Sequence, residues 1–153
     1  MENTFGGNDN KTYVLAPLTL GDNKKFVKWA RYRRWEQFQS MKGTIPQEVF
    51  DRESGRLLEE CNCKDLNESS PEVTTLEKTL EGIAYWVYLS LKHTYPALTL
   101  DTVEELITPN NLLDVYKRLM ILSGIITKKN EEATPEKTEE GLTTEHSTEK
   151  VLN

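Results

Sequence analysis

Two cysteines and two histidines in 153 residues leave little material for metal or redox chemistry. Cys61 and Cys63 stand two apart, too close in a helix or strand for an easy disulfide and too few for a four-ligand zinc site. His93 and His146 add nothing at metal-ligand spacing, so both thiols read as ordinary. No run of about 18 apolar residues occurs, which excludes a membrane-crossing helix. Met1-Glu2-Asn3-Thr4 lacks the basic flank and apolar core of a signal peptide. The expectation is a soluble protein of a reducing compartment. Gly-rich phosphate loops, paired His-and-acid clusters and nucleophile elbows are missing too, so no motif points to catalysis or to a cofactor.

Charge is present but uneven. The formal total is −6, yet Lys24 to Lys42 holds seven basic residues and one acid. Gly43 to Ile126 holds 7 basic and 14 acidic residues, and Thr127 to Asn153 holds 4 and 7. That last stretch has no aromatic side chain and almost nothing apolar before Val151-Leu152, so it cannot bury enough surface to offset chain entropy. Residues 127–153 are therefore expected to form a disordered acidic tail. Residues 1–10, polar and containing Gly6-Gly7, are expected to be a flexible N-terminus. A packed helical domain over 11–126 remains, long enough for one core.

Within it, Lys11 to Ala16 alternates imperfectly up to Pro17 and reads as a short edge strand or an extended arm. Asp22 reads as the N-cap of a first helix ending at Gly43. Phe26, Val27, Ala30, Trp35, Phe38 and Met41 share one broad side of it, while Trp29 and Tyr32 fall off that side and Arg34 intrudes. Pro46 suits the first turn of a second helix carrying Val49, Phe50, Leu57 and Leu58, weakened by Gly55 and ended by Asn67 to Pro71. A third helix from about Val73 to Thr94 places Leu76, Leu80, Ile83, Ala84, Val87 and Leu91 toward the core. Tyr85, Trp86, Tyr88 and Leu89 add apolar surface on its other faces. Thr99 or Asp101 caps a short fourth helix through Val103, Leu106 and Ile107. Pro109 separates it from a fifth that carries Leu112, Leu113, Val115, Tyr116, Leu119, Met120 and Leu122, with Gly124 as a left-handed C-cap. The fold class is thus all-α, a compact bundle of about five helices.

Three local patterns carry chemistry. Asp101, Glu104 and Glu105 form an acidic group that capping and the helix dipole already explain. His93 most simply meets the last carbonyls of the third helix. The stretch Trp29-Ala30-Arg31-Tyr32-Arg33-Arg34-Trp35 interleaves aromatics with guanidinium groups and admits three readings. It is a solvated basic face whose charges pair with the domain's own acids, a docking surface for another protein, or a phosphate- and base-binding helix. The acidic remainder argues against nonspecific DNA binding. Asn67-Glu68-Ser69 matches a glycosylation sequon, which has meaning only in a secreted eukaryotic protein.

Leu89 to Asp101, with Leu106-Ile107 beyond, is similar to the helix, Pro, Leu-Thr, helix, Leu-Ile pattern of bacteriophage tail assembly chaperones. Val14 to Asp22 looks like their opening segment, and with the last helix the resemblance covers roughly residues 13 to 124. It implies a small non-enzymatic helical protein, without cofactor, of long-tailed phages, working in the host cell cytoplasm. It would bind the tape measure protein, keep it soluble and help tail tube protein assemble around it. It also implies that a longer form is often made by frameshifting, with the tail from Thr127 onward either the free end of the short form or the linker of the long one. The role asks for apolar surface that a helical client can cover. Candidate client-facing residues are Trp29, Tyr32, Arg33 and Trp35 on the first helix and Trp86 and Tyr88 on the third, surfaces that self-association could also use. A virion head–tail connector and a small DNA-binding regulator are the alternatives.

Overall fold

The computed structural model describes residues 3–66 and 71–127, and of Pro71 and Glu72 only the backbone. The tail expected over 127–153 therefore lies, beyond Thr127, outside the described residues. The architecture is all-α with a small hairpin at its N-terminal side. The order is β1 (Thr4–Gly6), β2 (Thr12–Val14), α1 (Leu20–Gln39), α2 (Gln47–Asn62), α3 (Pro71–Glu77), α4 (Leu80–Thr94), α5 (Leu100–Leu106) and α6 (Pro109–Leu122). Among the described residues six helices replace the five expected, because the third divides.

Residues 3–10 are not the flexible extension their polarity suggested. β1 and β2 pair antiparallel with Phe5 opposite Tyr13, and the two rings stack with centroids 5.7 Å apart. Tyr13 in turn meets the Tyr95 ring edge-on at 5.5 Å. Two apolar side chains facing the same way on paired strands supply what the polar residues around them cannot. The arm that follows lies along α4: Ser90, fully buried, accepts the Ala16 N–H and donates its hydroxyl to the Ala16 carbonyl. Arg118 of α6 reaches the Thr4 carbonyl.

The N-cap of α1 lies three residues before the one expected. Thr19 is the N-cap, its hydroxyl accepting the Asp22 N–H while the Asp22 carboxylate accepts the Thr19 N–H at 2.9 Å. Asp22 is thus the third helical residue of a capping box, which satisfies two end donors reciprocally. Phe26, Val27 and Ala30 are buried, but Met41, beyond the helix end at Gln39, is 42% exposed. Of the apolar residues of α2, Phe50 and Leu57 are buried, while Val49 and Leu58 are exposed. Its C-terminus is closed from outside: the Arg31 guanidinium of α1 donates to the carbonyls of Glu60, Cys63 and Asp65. A cation there complements the negative end of the helix dipole.

The division between α3 and α4 falls at Lys78-Thr79. Thr79 caps α4, accepting the Gly82 N–H and donating to the Leu76 carbonyl. Gly82 makes the bend feasible, since a Cβ there would sit 2.0 Å from the Leu76 carbonyl oxygen. The break resets the register, so Leu80 is 53% exposed, whereas Ile83, Ala84, Val87 and Leu91 are buried as expected and Leu76 is partly so. Trp86 and Leu89 are buried as well, because α4 is central and packs against α1, α3, α5, α6 and β2. Thr99 caps α5, Pro109 opens α6, and Gly124 adopts φ +70° in the turn after α6. Leu113, expected among the apolar residues of α6, points outward at 57% exposed.

Candidate functional site

A groove of about 700 Å³ opens where the first turn of α1 meets the end of α6, with α4 as its floor. Leu18, Leu20 and Asn23 form one wall, Tyr116 and Met120 the other, and Ile125 and Ile126 extend it past the helix end. Trp86 lines it from α4 and Glu77 from the end of α3. The volume lies within the range of ligand sites and the lining is mostly apolar. Leu20 and Ile125 stand 81% and 61% exposed, the two most exposed large apolar side chains among the described residues.

The walls are tied to the body by specific bonds. The Leu18 N–H donates to the Ser123 hydroxyl at 2.9 Å, and that hydroxyl donates to the Leu119 carbonyl, joining arm to α6. Asp22, completely buried, holds α1 in place. Its carboxylate meets the Thr19 N–H and hydroxyl, the Lys25 ammonium at 3.4 Å and His93 Nε2 at 2.8 Å. Burial opposes ionisation of Asp22, but the His93 and Thr19 bonds outweigh it, and its pKa falls below the ordinary 3.8. His93 therefore does not cap its own helix; its ring bridges the last turn of α4 to the first turn of α1. On the opposite wall, burial and then the Glu77 charge push the Tyr116 hydroxyl up to about 12, so it stays a neutral donor near pH 7.

The residues singled out from the sequence fall into two groups. Trp86 stacks on Phe26 at 4.3 Å, Phe26 meets Trp29 at 5.5 Å, and Trp29 stacks on Tyr85 at 4.1 Å. Tyr88 joins this cluster through Tyr85, with the Lys92 ammonium over its ring. Of these, only Trp86 lines the groove, from below, being 6% exposed. Further along α1, Tyr32 is 49% exposed and 5.6 Å from Trp35, which is half-buried. The guanidinium groups between them are engaged internally. Arg31 closes α2, Arg33 pairs with Glu81 and Glu36, and Arg34 pairs with Glu60. That arrangement matches the basic-face reading, in which the charges pair with the domain's own acids.

Leu18, Leu20, Tyr116, Met120, Ile125 and Ile126 were not singled out by sequence reasoning. The available signal was apolar residues flanking a cap on one side and following a C-cap glycine on the other. Asp101 sits in the first turn of α5, and Glu104 and Glu105 are exposed. Cys61 and Cys63 are free thiols, and burial pushes the Cys61 thiol up, away from reactivity. No helix among the described residues is long and apolar enough to cross a membrane. In comparisons with protein-family models, curated proteins and solved structures, nothing matches this chain.

Proposed function

We propose that the groove is a client-binding site and that the protein acts as a phage tail assembly chaperone, holding the tape measure protein soluble by stoichiometric binding while tail tube protein assembles. The observation that carries this reading is the pair of projecting apolar lips, Leu20 and Ile125, over an apolar groove framed by three helices. Exposed apolar surface of this kind is stable in water only at a cost, and a helical client covers it by laying its own apolar face in the groove. The resemblance over residues 13 to 124 supports the same assignment. Trp29, Tyr32, Arg33, Trp35 and Tyr88 lie outside the groove, so in this reading the client touches Trp86 and the newly identified wall residues instead.

Co-expression with a candidate tape measure protein tests it. Leu20→Asp and Ile125→Asp alter exposed side chains and should leave the fold intact, yet each should lower recovery of soluble client roughly tenfold. A client equally soluble without the chain overturns the chaperone reading, and if the chain is then also found in purified virions the connector role takes its place.

A further inference from the structure

Among the described elements α2 has extended packing against one only, α1, and the two run antiparallel as a hairpin. Phe38 stacks on Phe50 at 5.3 Å, Gln39 donates to the Ser54 hydroxyl at 2.8 Å, and Arg34 pairs with Glu60. Helical periodicity puts Lys28, Tyr32, Trp35 and Gln39 in one row along α1 and Asp51, Gly55, Leu58 and Asn62 in one row along α2, both at i, i+4, i+7, i+11 spacing. The Gln39–Ser54 bond joins the rows, because Ser54 neighbours Asp51 and Leu58 at three and four residues, so both rows open on the same face of the hairpin. There Tyr32 and Leu58 are 49% and 45% exposed, and Trp35 lies half-buried 5.6 Å from the Tyr32 ring.

Two features of this face find no use within the chain. Gly55 sits in the middle of α2, where glycine weakens a helix relative to alanine, yet a Cβ there would meet nothing within 4 Å. The free charge is also divided by helix: Lys24, Lys28 and Lys42 of the basic segment make no ion pair among the described residues, and neither do Glu48, Asp51 and Glu59 of α2. We propose that two copies of the chain pair through this face, about a two-fold axis parallel to the hairpin, as a four-helix bundle. That symmetry lays α1 of each copy on α2 of the other, so a basic helix meets an acidic one twice, with Lys28 beside Glu59 of the second copy and Lys42 beside its Asp51. Gly55 lets the facing helix come close, and Tyr32 and Trp35 are of the residue types that dominate interface energetics. A second copy fits better than a foreign partner because both halves of the charge pattern stand on the one hairpin. None of these residues lines the groove, so pairing leaves it open to a client.

Sedimentation equilibrium of the full chain between about 1 μM and 1 mM should show a reversible dimer. Lys28→Glu and Glu59→Lys should each weaken it roughly tenfold, because each sets two pairs of like charges across the axis. An equimolar mixture of the two variants should pair as tightly as wild type, since every such contact then joins opposite charges. Gly55→Gln should raise the melting temperature of the dilute monomer and yet loosen the dimer roughly tenfold, a split that a role confined to the helix would not produce. A chain that is monomeric throughout overturns the proposal, as does a dimer whose charge-reversed variants are not rescued by mixing. So does a dimer that Gly55→Gln leaves intact, or one that Leu20→Asp dissolves, which would move the contact to the groove.

Discussion

Asp22 and Leu80 show how a single side chain's role depends on neighbours far along the chain. Asp22 is an acidic residue near a helix start in any reading, but its burial and its His93 partner, 71 residues away, need the folded structure. Because its folded pKa lies below 3.8, it contributes stability that is fully present above that value and is lost as pH falls through the folded value. Asp22→Asn should therefore destabilise by roughly 1–3 kcal/mol at pH 7, with the gap between wild type and variant closing as thermal melts are taken below pH 3.8. A gap that stays constant down to the acid limit would show that the charge is not the source. Leu91, fully buried, should cost roughly 2–5 kcal/mol on truncation to alanine, whereas Leu80→Ala, on a half-exposed side chain, should fall near the range of ordinary surface changes, about 0.5 kcal/mol. Urea unfolding of the pair distinguishes the observed register from an unbroken helix.

At the scale of elements, periodicity found nearly every helix but missed the division of the third. The apolar spacing from Leu76 through Leu91 continues smoothly across Thr79, so nothing in the pattern announced the break. The informative residue is Gly82, whose missing side chain lets the Leu76 carbonyl approach. Gly82→Ala should cost about 3 kcal/mol or more, with amide exchange accelerated first in α3, which must move away to admit the methyl group. Unaltered exchange in α3 would place the strain elsewhere. The hairpin was half legible: β2 stood out by alternation, but β1 has only Phe5 between Thr4 and Gly6 and is defined by its pairing. The end of α2 is likewise completed by Arg31 of another helix. Arg31→Ala should lower stability by about 1–3 kcal/mol through three carbonyls left without their charged donor, and Arg31→Lys should recover little of it, because an ammonium cannot span the same fork.

For the whole molecule, the segregation of charge was plain in the sequence while its purpose was not. The +6 segment from Lys24 to Lys42 turns Arg33 and Arg34 toward the acids Glu81 and Glu60 and Arg31 toward the carbonyls at the end of α2, so its guanidinium groups are engaged within the fold. The groove was illegible for a different reason: its lining is drawn from the arm, α1, α3, α4, α6 and the turn beyond, and no local window contains it. The hairpin bears on how the chain comes to be folded at all. Its bonds reach Leu106 and Arg118, 98 and 114 residues further along the chain. The hairpin leaves the ribosome well before α5 and α6 and can reach those partners only after both have emerged, so Phe5, Tyr13 and Leu15 wait uncovered while the helices between are made. A segment made before all the helices it binds is thus fastened down only after the last of them.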